Sequence, residues 1–382
     1  MDKRRSFLHA CQTANIDQVR TLLNNKKIQF DVNWTNLSGD ETPFYIACKE
    51  GYIGIVKILL NDKRIDVNKP NKYTGETPFY IACRNGFIEI VKLLLNDKRT
   101  DLNKQTMYGR TSFWISCFKE RIEIVKLLLN DERIDVMKVD NQHITPLFAA
   151  CQNRKIESVK LLLNDKRIDV NKGQDQGGSP LYMACLKSWI EIAKLLLNDE
   201  RIDVNQADIY GQTPLFQACY QGHTEIVKLL LNDKTIDVNK SRDEGVSPFH
   251  IACSNGHIEI VKLLLNNEKI NINQVEFENN WIPIFGACYR GYLEIVEHIL
   301  ASGKEVNLIA KDKDGDTVFD IIDAEYDDDR ETYYEFQRRM ENGTEIFDLL
   351  ESFQRNQNEV RSKLRLKIGF AGKGLLLLLL FF

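Results

Sequence analysis

At 382 residues, with 43% hydrophobic and 28% charged side chains, the chain has the composition of a soluble protein and the length of two or three ordinary globular domains. Its 51 basic and 55 acidic residues give a formal net charge of −4, which excludes a general electrostatic pull toward nucleic acid. Charge is uneven near the C-terminus: residues 312–345 carry thirteen acidic side chains against four basic ones, and residues 355–382 carry six basic against one acidic.

The nine cysteines fall at 11, 48, 83, 117, 151, 185, 219, 253 and 288, at intervals of 34 to 37, so cysteine marks a repeat. A period near 34 overrides the length prior, because each unit of such an array buries its apolar face only against its neighbours. Stacked helices sit roughly 10 Å apart, whereas a disulfide needs Cα atoms within about 7 Å; the thiols are therefore expected to be buried and unbridged. The opening MDKRRSFLHACQ is too weakly apolar for a secretory signal, and free thiols suit a reducing compartment, so the expected location is cytoplasmic, with the nucleus as the alternative. On that expectation the glycosylation sequons at Asn33, Asn36 and Asn342 are chance matches.

In chain order, residues 1–37 read as a degenerate first copy, with Phe7 to Cys11 in the repeat's register, and residues 38–311 as internal copies. The copy that begins at Thr77-Pro78 shows the design. The threonine hydroxyl accepts from a free backbone N–H, and proline at the first helical position sacrifices no hydrogen bond. Phe79 to Cys83 make a helix of about two turns, with small Ala82 and Cys83 allowing close approach, and Gly86 supplies the left-handed turn that ends it. Ile88 to Leu95 reads as a second, amphipathic helix with Glu89 and Lys92 outside. Asn96 to Arg99 breaks the pattern, and the polar stretch to Gly109 reads as a projecting turn.

Gly75-Glu76-Thr77-Pro78-Phe79, the Ala-Cys pair, the helix-ending Gly, the Leu-Leu-Leu run and Asp-Val-Asn together resemble the ankyrin repeat. The Thr-Pro position recurs at 42, 77, 111, 145, 179, 213, 247, 282 and 317, so the resemblance covers about ten repeats over residues 1–353. It implies an all-α solenoid of helix-turn-helix units with short β-turn or hairpin fingers, in which terminal repeats act as caps. Three departures stand out. Two copies carry Asn-Asp-Lys-Arg-Ile before Asp-Val-Asn, at 61–68 and 164–171, and most of the others a close variant of it, one residue longer than the usual link. Aromatic Tyr45, Tyr80, Trp114, Phe148, Tyr182, Phe216 and Phe285 occupy the position where the family often has His, which only His250 matches, and they are expected to pack. Glu120, Arg154 and Ser188 replace the helix-ending Gly in three consecutive repeats, at a cost on the order of 1 kcal/mol each, so the middle copies are expected to be the least regular.

After Thr317 the pattern predicts a first helix to about Ala324, an insertion rich in Asp and Tyr that includes Asp327 to Asp329, and a second helix from Thr344 to Phe353 with Ile346, Phe347, Leu349 and Leu350 inward: a C-terminal capping repeat over residues 312–353. Residues 354–382 form a basic and apolar tail. Its run from Leu375 to Phe382 is too short to span a bilayer, which takes about 20 apolar residues; the open readings are contact with an anionic membrane surface, docking on the last repeat, a disordered end or a mispredicted terminus.

Candidate chemistry does not survive inspection. The cysteines form no CxxC pair, and His223 and His257 fall at equivalent, separated repeat positions, so neither metal nor redox cofactor is expected. Asp312, Asp314 and Gly315 look like part of a calcium loop, but that register puts Ala310 first and Ile321 where a bidentate Glu belongs. Gly372-Lys373-Gly374 lacks the remainder of a phosphate-binding loop, and no nucleophile sits in a strand-turn-helix setting. What remains is recognition. The resemblance implies a non-enzymatic, monomeric scaffold or adaptor that holds a protein partner along finger tips and first helices. Mapped onto this chain, that surface comprises Tyr73, Arg84, Tyr108, Phe118, Tyr210, Tyr220, Trp281, Tyr289 and Arg290, with aromatic and Arg side chains as candidate hot spots. Two alternatives are a membrane-surface adaptor held by the tail, and a substrate-recruiting subunit of a ubiquitin ligase or kinase assembly.

Overall fold

The computed structural model describes residues 3–24, 30–35, 40–323 and 333–369, with side chains in the long helix near the C-terminus described from residue 337. Among these residues there are 21 helices and no strand. Asn36, the stretch Asp327 to Asp329, Lys373 and the run Leu375 to Phe382 lie outside the described residues.

Two compact units emerge, one of Met1–Pro180 with Asn198–Ile202, the other of Leu181–Leu197 with Asp203–Phe382. The first holds the pairs α1 (Lys3–Gln12) and α2 (Ile16–Asn24), α3 (Pro43–Glu50) and α4 (Ile53–Leu60), α5 (Pro78–Asn85) and α6 (Ile88–Asn96), α7 (Ser112–Phe118) and α8 (Ile122–Leu129), and α9 (Pro146–Gln152) and α10 (Ile156–Leu163). The second holds α11 (Pro180–Leu186) and α12 (Ile190–Leu197), α13 (Pro214–Gln221) and α14 (Thr224–Leu231), α15 (Pro248–Ser254) and α16 (Ile258–Leu265), and α17 (Pro283–Tyr289) and α18 (Leu293–Ala301). It closes with α19 (Val318–Asp323), α20 (Tyr333–Arg355) and α21 (Gln357–Lys367).

The first helix of each pair starts as its sequence dictates. Thr42, Thr77, Thr111, Thr145, Thr213 and Ser247 accept from the amide three residues on, a cap whose loss typically costs about 1 kcal/mol. Ile282, in the same position, makes no side-chain cap. First helices then stack on first helices, α3 on α5 on α7 on α9 in one unit and α13 on α15 on α17 in the other. Phe44, Phe79, Phe113, Phe216, Phe249 and Phe285 are buried at these contacts with the Ala and Cys positions. All nine thiols are buried and unbridged. Burial pushes the Cys11 thiol up to about 12 and raises the others further still.

Glu120, Arg154 and Ser188 adopt the left-handed conformation of the glycines they replace, at φ 55°, 55° and 56° against 88° at Gly86 and 76° at Gly222. The closing bond is the same in both kinds of copy: Arg121 N donates to Ser116 O at 2.9 Å, as Phe87 N does to Ala82 O at 3.0 Å. Locally the middle copies keep the repeat's turn, contrary to the expected irregularity.

The extra residue in the Asn-Asp-Lys-Arg link has a structural use. Asp62, Asp97, Asp131, Asp165 and Asp199 each accept from the backbone N–H two residues on and from the guanidinium of that same Arg. The guanidinium so held reaches back one repeat: Arg99 donates to Leu60 O, Arg133 to Leu95 O, Arg167 to Leu129 O and Arg201 to Leu163 O, at 2.7–2.9 Å. Each of those carbonyls lies at or next to the end of the preceding second helix, where no intrahelical donor remains. A ladder of asparagines runs alongside. Asn33, Asn68 and Asn103 in one unit, and Asn205, Asn239 and Asn273 in the other, each donate to a carbonyl of the next repeat and accept an amide from it. Asn33 thus spends its amide on the ladder, and Asn342 spends its own on Gly291 O.

The C-terminal cap departs from the predicted form. Its second helix is not the ten residues from Thr344 but the 23 of α20, and residues 357–367 of the tail form α21, packed on α18 and α20. Ile346 and Leu350 are buried as expected, Leu349 and Phe347 are only half-buried, the Phe347 ring lying 5.6 Å from that of Phe319, and Phe353 is buried as well. On α21, Arg361 donates to Leu300 O and Arg365 to Ala301 O, Lys367 pairs with Glu297, and Leu364 is buried.

Three outcomes follow. Met137 stands where the ladder needs asparagine; its sulfur accepts from Asp169 N at 3.3 Å, but a thioether has no N–H to offer the opposite carbonyl. Met137→Asn should therefore stabilise the first unit by about 0.5–1 kcal/mol, read from urea unfolding. No native thiol should react with an aromatic disulfide reagent within minutes, and all nine should react in denaturant. The Arg hydrogen bonds hold the five link aspartates below their ordinary range, so their stabilisation is complete above about pH 4 and is lost as pH falls through the lowered folded-state values. Unfolding free energy should drop across that acid limb, and Asp97→Asn with Asp131→Asn should flatten it while lowering the value at neutral pH.

Candidate functional site

Several projecting fingers are built on a polar side chain that caps its own turn. Asn71 Oδ1 accepts from Tyr73 N and Thr74 N, Asp140 Oδ1 from Gln142 N and Ile144 N, Asp208 Oδ1 from Tyr210 N and Gln212 N, and Asp312 Oδ1 from Asp314 N and Asp316 N. The Asp312 carboxylate is thus engaged in its own turn. Adjacent fingers are joined by single backbone bonds: Met107 N to Thr74 O and Asn141 N to Tyr108 O in the first unit, Asp243 N to Tyr210 O and Phe277 N to Glu244 O in the second. These bonds hold the tips side by side and leave their side chains outward.

In the first unit Tyr73, Met107 and Tyr108 are 65%, 61% and 63% exposed on linked tips. Beside Tyr108, the Arg110 guanidinium lies 4.4 Å from the centre of the Trp114 ring, 5.8 Å from Tyr108 and 6.0 Å from Phe118. Trp114 and Phe118 stack at 5.1 Å with 16° between their planes, the Lys119 ammonium is 5.3 Å from the Phe118 ring, and Trp114 Nε1 donates to Ile144 O. Asp140, buried, places Oδ2 3.6 Å from Arg110 Nε. The cluster is a platform of three rings with Arg110 within 6.0 Å of each and Lys119 beside Phe118, an arrangement worth about 0.5–2 kcal/mol per close cation–ring pair.

Arg84 has a different fate. Its guanidinium is bound to the carboxylate of Glu76, whose other oxygen accepts from Tyr45 Oη at 3.0 Å. Burial first, then the Glu76 charge, drive the Tyr45 hydroxyl pKa up, so Tyr45 stays a neutral donor. Arg84 is half-buried in this internal triad. The aromatic column therefore packs as expected but also carries polar tips: Tyr182 Oη bonds Gln212 and Gln217 in the second unit.

Also in the second unit, Tyr210 and Tyr220 are 56% and 48% exposed. Trp281, Tyr289 and Arg290 are half-buried. The Trp281 ring lies 5.5 Å from that of Tyr289, over which Arg339 of α20 sits at 5.5 Å, and Arg338 donates to Arg290 O. Tyr289 and Arg290 thus meet the capping helix, and Trp281 packs on Tyr289. Sequence mapping left out two exposed tip residues, Ile209 and Phe277, the latter 72% exposed; the signal was present, since both share a column with Met107. His223 and His257 serve the frame, each with Nε2 3.2 Å from the carbonyl of Leu186 or Tyr220 at the end of the preceding first helix.

Among the described residues no cluster of His, Cys, Asp and Glu has metal-binding geometry, and no helix is long and apolar enough to cross a membrane. A family model described as ankyrin repeats in three copies matches the chain over residues 7–106, 98–174, 147–242 and 236–310. No curated protein matches it.

Proposed function

The chain belongs to the ankyrin-repeat family, whose repeats are generally protein–protein interaction modules, and on that premise we propose that it is a non-catalytic scaffold holding a protein partner against its finger tips. The observation that carries this reading is the exposed Tyr73, Met107 and Tyr108 on bonded tips beside the Arg110–Trp114–Phe118 platform. Tyr, Trp and Arg dominate binding hot spots because each buries a large surface with few rotors and retains a polar edge. The tips and platform are ordered by turn and stacking contacts before any partner arrives, which lowers the entropic cost of binding.

Residence in the cytoplasm is supported by nine unbridged thiols, and a monomer is the simplest state for such a scaffold. The membrane-surface alternative has less support, because Arg361, Arg365 and Lys367 of the basic tail are engaged with α18 and the residues that follow it.

The deciding experiment is affinity capture from cell extract with the intact chain beside a variant carrying Tyr73→Ala, Tyr108→Ala and Phe118→Ala, followed by titration of the captured protein. Each hot-spot loss of at least about 2 kcal/mol corresponds to roughly 30-fold weaker binding. The exposed Tyr73 and Tyr108 changes should each alter stability by less than about 0.5 kcal/mol. Equal affinity for both chains rules out this face.

A further inference from the structure

The finger tips of the second unit carry the opposite charge from those of the first. Four fingers follow one another there, joined by single backbone bonds: Asp243 N to Tyr210 O, Phe277 N to Glu244 O and Lys313 N to Asn279 O. Tyr210 and Phe277, 56% and 72% exposed, put rings on the first and third of these tips. The Phe277 ring rests on the neighbouring finger at Gly245, where an added Cβ would come within 2.9 Å of it, so the ring is held in place and still open to solvent. Beside the rings stand the exposed carboxylates of Asp243, Glu244, Glu278 and Asp314. The cations of these tips leave most of that charge unmatched: Arg242 Nε pairs with Glu244 Oε2 at 2.6 Å, and Lys313 Nζ donates to Asn279 Oδ1 at 2.8 Å. Among the described residues no ion pair or side-chain hydrogen bond engages the carboxylate of Asp243, Glu278 or Asp314. The tips and platform of the first unit present Lys72, Arg110 and Lys119 instead.

We propose that the tips of the second unit form a docking surface of their own, and that its occupant is an extended cationic segment of a partner protein, with a basic side chain at about every third residue. The proposal rests on the reading of finger tips as recognition surfaces and assigns this second face a partner chemistry that the first face does not share. Charge selects the sign of the occupant. A guanidinium or ammonium group laid on Tyr210 or Phe277 is attracted by the ring and by the carboxylate next to it, whereas nucleic acid and anionic lipid are repelled by the same residues. Spacing selects its shape. Stacked helices sit roughly 8–10 Å apart, and a polyproline-type chain returns to the same face after about three residues and 9 Å. One basic side chain therefore meets each finger in turn, the first at Tyr210, the next at Asp243, then at Phe277 with Glu278, and the last at Asp314. Because the tips are already joined to one another, their carboxylates and rings need no rearrangement to receive it.

The test uses the full chain and a fluorescein-labelled peptide of Arg-Pro-Pro triplets, one triplet per finger, with binding followed by fluorescence anisotropy. Two further peptides run beside it, one of Glu-Pro-Pro triplets and one of the cationic composition with its arginines consecutive. The spaced cationic peptide should bind, and less tightly as added salt shortens the ~8 Å screening length of physiological ionic strength. The acidic peptide should not bind, and the consecutive one should bind several-fold more weakly than the spaced one. Asp243→Asn, Glu278→Gln and Phe277→Ala should each weaken the spaced peptide roughly threefold, and together roughly 30-fold. Continued silence of the nine native thiols in these variants shows that the fold is intact. Undiminished binding by the triple variant overturns the proposal, as does equal affinity for spaced and consecutive arginines, or no binding at peptide concentrations near ~1 mM. Loss of peptide binding on Tyr73→Ala with Tyr108→Ala places the peptide on the face of the first unit and also overturns it. Failure of the first face in the capture experiment leaves these readings unchanged, so the two faces are judged separately.

Discussion

Helices of seven to nine residues, the length of almost every helix in the repeats, are too short to persist alone in water, where about 12–15 residues are needed even for favourable sequences. Every other feature answers that constraint. Each pair is held by its neighbours through the buried Phe, Ala and Cys positions, and the polar groups freed at so many helix ends need partners in turn. With termini this frequent, unpaired carbonyls are as much a problem of the fold as apolar area.

The chain solves it with side chains that cross from repeat to repeat. The guanidinium of the Asp-Lys-Arg link, fixed by its own aspartate, settles on the carbonyl at the end of the previous second helix. The second-helix entry residue does the same for the previous first helix, as Arg121 does for Arg84 O. These contacts are exposed and individually modest, but they repeat in register, so alignment is specified at several heights of the stack. The same rigidity presents the finger tips, which owe their placement to a single backbone bond between neighbours and a capped turn within each.

Much of this was legible in the residues. Thr77-Pro78 marked a helix start, and the replacement of Gly by Glu120, Arg154 and Ser188 located left-handed turns that the structure contains. The aromatic column was read as packing, and it is. What escaped were long-range uses of local features. The Asn-Asp-Lys-Arg link registered as an extra residue, because nothing local reveals that its Arg reaches a carbonyl 38 or 39 positions earlier. Tyr289 and Arg290 looked like an open face because the helix that covers them comes from a stretch whose Asp- and Tyr-rich start obscured its length. The basic tail was left open between a lipid surface and a segment docked on the last repeat, because charge pattern alone does not show that Arg361 and Arg365 have carbonyls to meet. The platform was half visible: Tyr108 and Phe118 were chosen as binders, while Trp114, which orders them, was assigned to the core.

The capping helix α21 performs at Leu300 the service that Arg99, Arg133 and Arg167 perform at Leu60, Leu95 and Leu129. Leu300 follows the same register as those leucines, so its carbonyl is where the next link's arginine would bond, and Arg361 meets it instead from 61 residues on, out of a helix with no repeat character. An array whose faces are alike from copy to copy carries an inherent tendency toward head-to-tail growth, since the last copy presents what the first was shaped to meet, and such contacts do not close into a ring by themselves. By supplying that arginine from outside the repeat, α21 satisfies the terminal carbonyl that a further copy would otherwise meet.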